Sequence, residues 1–149
     1  MSKFYYCFLI IFILSSCKTQ TILVDSKSQA DIYHLQRSQV KSTMDNLLKA
    51  LASKSYGKLT DFVEPSSADA PKLSGDAIAA RILGPNYSIV SIGRWVPEGF
   101  IVNFDDPQTA QVQFTLNYKP APYRKEISNI INFTFHYSIK HQKWFLVLK

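Results

Sequence analysis

The spacing of hydrophobic residues along the chain is helical in its first half and strand-like in its second. Between residues 31 and 53, apolar side chains recur mostly at three- and four-residue steps without Gly or Pro, which predicts one amphipathic helix. SYGKLTDFVEP predicts a shorter second helix that ends at Pro65. SGDAIAARILG predicts a third helix, with Ser74 as its N-cap and Gly84 and Pro85 at its end.

After Pro85 the period changes to two, which is typical of antiparallel strands with one buried face. The predicted strands cover residues 87–95, 100–104, 109–118, a stretch alternating from 131 to 139, and WFLVLK at the end of the chain. Turn residues separate the first three, KPAPYRK is a predicted loop, and KHQK a predicted turn. Helices followed by strands predict an α+β domain whose helices cover the aromatic face of the sheet.

The N-terminal region has the features of an export signal. Lys3 precedes eleven uncharged residues, FYYCFLIIFIL, which are too few to cross a hydrocarbon core of about 30 Å. Leu14-Ser15-Ser16-Cys17 then resembles the lipobox of bacterial lipoproteins. This resemblance implies cleavage before Cys17, a diacylglycerol on its thiol and an acylated amino terminus. The alternative is an ordinary signal peptide with a chance cysteine.

These features divide the chain into a signal peptide (1–16), a lipid-anchored tether (17–30) and one domain (31–149). Cys7 would leave with the signal peptide, so the mature domain would hold no disulfide and no cysteine ligand. Lys18, rather than Asp, follows the lipidated position, which by analogy with lipoprotein sorting favours the outer membrane. Because no acidic run follows Cys17, we expect the domain to face the periplasm.

The order of elements and two local patterns resemble a known superfamily. SYGKLTDFVEPS followed by SGDAIAARIL, with long strands ending in HQKWFLVLK, is similar to small exported domains of the NTF2-like (cystatin-like) superfamily over residues 31–149. The final turn, KHQK, departs from that pattern in lacking a glycine. The resemblance implies three helices wrapped on a strongly bent antiparallel sheet, with a cone-shaped cavity between them. The cavity face would include Phe114, Leu116, Phe133, Phe135, Tyr137 and Trp144.

The chain carries little catalytic chemistry. His34, His136 and His141 have no metal-ligand spacing, and we expect no metal and no cofactor. Related enzymes of the superfamily that isomerise or hydrate small molecules need a carboxyl in an apolar pocket, where burial raises its pKa. Asp61 and Glu64, on the second predicted helix, are the candidates for that role. Their position at the end of a short helix is more typical of solvent-facing side chains.

Charge is distributed unevenly along this basic chain, which has a net charge of +6. Residues 107–149 carry six Lys or Arg and one acid, Glu126, whereas residues 18–106 carry ten of each sign. The candidate basic patch consists of Lys119, Arg124, Lys125, Lys140 and Lys143. It predicts an anionic partner: lipid headgroups, lipopolysaccharide or an acidic protein, but not nucleic acid in an exported protein. The alternative is a solvated edge that prevents strand aggregation.

The last strand suggests a second surface. If Trp144, Leu146 and Leu148 face the cavity, Phe145 and Val147 lie on the outer face of the sheet. Such a patch would suit a homodimer that pairs sheet to sheet, or would be covered by the tether or a loop.

These observations favour a non-enzymatic, lipid-anchored envelope protein that binds a protein or an apolar ligand through its cavity mouth or basic edge. The alternatives are a small acid–base enzyme that uses Asp61 or Glu64, and a structural accessory subunit of an envelope complex.

Overall fold

The computed structural model describes residues 26–65 and 73–148 of the 149. The signal peptide, Cys17 and the first part of the predicted tether therefore lie outside the described residues. Tyr33–Lys149 form one compact unit, distinct from Met1–Ile32. The sheet and the sites described below belong to the unit Tyr33–Lys149. Of the unit Met1–Ile32, the structure describes only the start of the first helix. No described helix is long and apolar enough to cross a membrane.

Three helices precede the sheet, as the sequence predicts. They are α1 (Ser26–Ala52), a 3-10 helix (Tyr56–Phe62) and α2 (Gly75–Leu83). The backbone of α1 begins five residues earlier than predicted, inside the predicted tether, because SKSQA contains no helix breaker. The second helix is 3-10 rather than α, which is common in short segments.

Both predicted ends of α2 are confirmed. The side chain of Ser74 accepts a hydrogen bond from the backbone N–H of Ala77 at 3.2 Å, which satisfies one of the free donors of the first turn. Gly84 follows the helix with φ of +86°, a left-handed conformation that glycine adopts without strain.

The five strands form one antiparallel sheet. They are β1 (Ser91–Ile92), β2 (Ile101–Asp106), β3 (Thr109–Lys119), β4 (Ile127–Ser138) and β5 (Lys143–Leu146). β1 and β2 pair with opposite ends of one edge of β3, β4 pairs with its other edge, and β5 lies outside β4. The helices pack against the strongly curled sheet, so the predicted α+β, cone-like architecture is confirmed.

The predicted strand at 87–95 is wrong. Residues 87–89 form a 3-10 turn, and only Ser91 and Ile92 pair with β3. The chain then leaves the sheet, and the Trp95 indole N–H donates to Asp45 of α1 at 2.9 Å. Alternation of side chains cannot reveal this bond, since its partner lies 50 positions away in the chain.

The core lies between α1 and the middle of the sheet. From Ala110 to Leu116, the alternate residues on the inward face of β3 are at most 5% exposed, as the sequence predicts. These residues pack with the apolar face of α1 and with two aromatic side chains of β4 and β5. The main members are Val40, Met44, Leu47, Leu48, Leu51, Ala110, Val112, Phe114, Leu116, Phe135 and Trp144.

Candidate functional site

Four of the six predicted pocket residues, Phe114, Leu116, Phe135 and Trp144, are core residues. Phe114, Phe135 and Trp144 are at most 4% exposed. The Phe114 ring packs edge-on against Phe100, with centroids 5.2 Å apart. Tyr137 is half-buried, and its ring lies 5.3 Å from that of Trp144. Aromatic side chains therefore fill the centre of the curled sheet.

A small cavity of about 120 Å³ remains at the end of the sheet where β3 passes into β4. Two of the pocket candidates, the core residue Leu116 and the half-buried Phe133, line it. The remaining lining comes from both α-helices, the segment before β1 and the two long strands: Leu48, Leu51, Ile82, Leu83, Val90, Tyr118 and Ile131. Tyr118 and Ile131 lie on the predicted inward faces of their strands. The four helical residues could not be assigned to the cavity from the sequence. Hydrophobic periodicity identifies the buried face of a helix, but it does not show where the packing of that face leaves a space.

The side chains of the residues that line this cavity are hydrocarbon except for one hydroxyl. Tyr118 Oη accepts a hydrogen bond from Asn129 Nδ2 at 3.1 Å. The cavity is smaller than the roughly 300 to 1,000 Å³ of pockets that enclose a drug-sized ligand. It is close to the size, about 150 Å³, of apolar protein cavities that stay dry and bind benzene. Its dimensions therefore suit one apolar group, such as a side chain or the end of an acyl chain.

The candidate carboxylates lie elsewhere. Asp61 and Glu64 are exposed, and neither lines the apolar cavity. Asp61 borders a polar surface groove of about 510 Å³ between α1, the 3-10 helix and β5. The backbone carbonyl of Asp61 accepts a 2.6 Å hydrogen bond from Lys143 Nζ, which ties β5 to the 3-10 helix. Neither carboxyl lies in an apolar pocket, where the acid–base role would need it.

The structure separates the candidate basic residues into two groups. Lys119, Arg124 and Lys125 lie where β3 passes into β4, whereas Lys140 and Lys143 lie where β4 passes into β5. Since β4 has 12 residues, the groups stand roughly 40 Å apart along that strand. They do not form one patch.

Phe145 lies on the outer face of the sheet, as the sequence predicts. Phe145 lies opposite His136, but it is only 5% exposed. The turn between β4 and β5 folds back over it: the His141 ring is 5.7 Å away and Lys143 Nζ lies 5.4 Å from the ring centroid. Val147 is 41% exposed. The homodimer stays a prediction.

The histidines do not meet. His34 and His141 are exposed, and His136 is half-buried on the outer face of β4. Within residues 26–65 and 73–148, no group of three or more His, Cys, Asp or Glu has the arrangement of a metal site.

Comparison with known proteins adds no functional assignment. No protein-family model matches this chain, and no curated protein does so.

Proposed function

We propose that this chain is a lipid-anchored envelope protein whose NTF2-like domain binds, without catalysis, an apolar group of a partner protein or a small ligand. The observation that carries the proposal is the apolar cavity at the β3–β4 end of the sheet. Its nine lining residues include no charged side chain, and its one hydroxyl accepts a hydrogen bond from Asn129.

The position of the cavity supports binding. Ile82, Leu83, Tyr118, Ile131 and Phe133 line it and are only half-buried, so the lining reaches solvent. An apolar group that entered would take this surface out of water, which is favourable by roughly 25 cal/mol per Å². The small volume favours one inserted group over a whole ligand.

The acid–base alternative remains a prediction without geometric support, because Asp61 and Glu64 are exposed and outside the cavity. The accessory-subunit alternative is compatible with the same cavity, since a partner protein can supply the inserted side chain.

Benzene is a suitable probe of the cavity, observed by NMR on methyl-labelled protein from Lys18 onward. We expect saturable shifts at the methyl groups of Leu48, Leu51, Ile82 and Ile131, all of which line the cavity. Val90→Phe should fill the space and abolish these shifts. Val147→Phe is the matched control, because it makes the same substitution at an exposed position away from the cavity. Unchanged cavity methyls, or benzene binding that survives Val90→Phe, would contradict the proposal.

A further inference from the structure

The loop that joins β3 to β4, residues 120–126, presents an aromatic ring to solvent. Tyr123 is 84% exposed, the highest value among the described large hydrophobic side chains. The loop is held in place below the ring: Ala121 is buried, and its carbonyl accepts a hydrogen bond from Arg124 N–H at 3.0 Å. Pro120 and Pro122 further restrict the backbone. Tyr123 is therefore presented by an ordered loop.

Basic residues and exposed aliphatic side chains lie near Tyr123 in the chain. The Arg124 guanidinium carbon lies 5.9 Å from the Tyr123 centroid, Lys119 immediately precedes the loop, and Lys125 lies within it. Glu126 is the one acid in the loop, and the only ion pair among the described residues joins Lys49 to Asp45, far along the chain. In the first four residues of β4, which follow the loop, Ile127 is 41% exposed and Ile130 68%.

This combination fits a lipid surface better than a protein. Tyrosine is enriched where hydrocarbon meets water, and Lys and Arg are attracted to anionic headgroups. A stable protein interface needs about 800 Å² from each partner, more than one seven-residue loop supplies. A bilayer surface accepts a single projecting loop, because its headgroups rearrange around the ring.

We propose that the β3–β4 loop docks on an anionic lipid surface. The Tyr123 ring enters the headgroup region, and Lys119, Arg124 and Lys125 contact lipid phosphates. This contact needs neither the cavity nor lipidation of Cys17, so it is tested separately from both.

The experiment uses the chain from Lys18 onward, without a lipid anchor. Every described core residue lies at or after Val40, so this chain keeps the whole core. Binding to phosphatidylcholine vesicles is compared with binding to vesicles that contain one third phosphatidylglycerol, at low and high salt. We expect binding that requires phosphatidylglycerol and weakens as salt screens the charges. A Tyr123→Trp variant should show blue-shifted emission on binding, which reports entry of the ring.

The charge variant is Lys119→Gln/Arg124→Gln/Lys125→Gln. At about fivefold per basic residue near the membrane, it should weaken binding about 100-fold. The matched control is Arg37→Gln/Lys58→Gln/Lys140→Gln, which removes three exposed charges elsewhere and should change binding less than threefold. Equal losses in both variants would reduce the effect to net charge and overturn the proposal. Absence of vesicle binding would also overturn the proposal. If immobilised polyglutamate were then bound through the same three cations, the partner would be an acidic protein.

Discussion

Asp45 and Trp95 are joined by a hydrogen bond across 50 positions of the chain. The indole N–H donates to Asp45 Oδ1 at 2.9 Å, while Lys49 Nζ lies 2.6 Å from Oδ2 of the same carboxylate. One side chain of α1 therefore holds the irregular segment between β1 and β2 against the helix. The bond lies at the end of the predicted strand at 87–95, beyond the two residues that pair with β3.

The Asp45 carboxylate should make stability depend on pH. Its partial burial would raise its pKa, but the hydrogen bonds from Lys49 and Trp95 outweigh burial, and the pKa lies below its ordinary value of 3.8. A carboxyl with a lowered folded-state pKa stabilises the fold above its unfolded pKa, and this contribution is lost as the pH falls through the folded value. We expect Asp45→Ala to lower the free energy of unfolding by about 1 to 2 kcal/mol at pH 7, and by less below pH 4. Urea denaturation of both proteins across pH 3 to 7 measures these free energies. If the difference between Asp45→Ala and the parent protein did not change with pH, the lowered pKa of Asp45 would be contradicted.

Gly75 lies where α2 meets the 3-10 helix. A Cβ at this position would stand 1.9 Å from the backbone carbonyl oxygen of Tyr56, so one of the two segments would have to move. We expect Gly75→Ala to lower the free energy of unfolding by at least about 2 kcal/mol, as overpacking does. Gly99→Ala is the control, because no atom lies within 4 Å of a Cβ there. Comparable melting temperatures for the two variants would show that the close approach is wrong.

The sequence was sufficient for elements whose side chains repeat without interruption. Alternation along β3 identifies its buried face because each inward residue between Ala110 and Leu116 is apolar. The sequence signals for the ends of α2 are also local, since Ser74 and Gly84 act on the backbone next to them. These signals need no knowledge of distant residues.

What the sequence could not provide depends on residues far apart in the chain. The alternation places Phe145 on the outer face correctly, but its burial depends on how the β4–β5 turn folds over it. The cavity also depends on residues far apart in the chain. Apolar periodicity cannot show that aromatic rings fill the centre of the sheet and leave space between Leu51 and Phe133. The separation of the basic residues, by contrast, follows from the predicted order of elements, because the loop KPAPYRK precedes the strand that became β4 and the turn KHQK follows it.

The covered position of Phe145 leads to a prediction about stability. Because Phe145 is 5% exposed and Val147 41% exposed, truncating the first removes far more buried surface. We expect Phe145→Ala to lower the free energy of unfolding by about 3 kcal/mol, as for other buried phenylalanines. Val147→Ala should lower it by less than about 1 kcal/mol. Chemical denaturation of both variants is the measurement, and a small effect of Phe145→Ala would mean that the turn does not cover the ring.

The two cysteines of the chain provide a sharp test of the proposed lipid anchor. Cys7 lies inside the uncharged run, and Cys17 follows Leu14-Ser15-Ser16. If the lipobox is functional, Cys17→Ser removes the thiol that receives the diacylglycerol, whereas Cys7→Ser leaves the run apolar enough to direct export. In a bacterial host fed an alkyne-tagged fatty acid, we expect Cys7→Ser to be labelled and to fractionate with membranes. Cys17→Ser should remain unlabelled and keep its N-terminal segment. Labelling that persists in Cys17→Ser, or depends on Cys7, would exclude Cys17 as the anchor. The domain would then need the β3–β4 loop, or another contact, to reach a membrane.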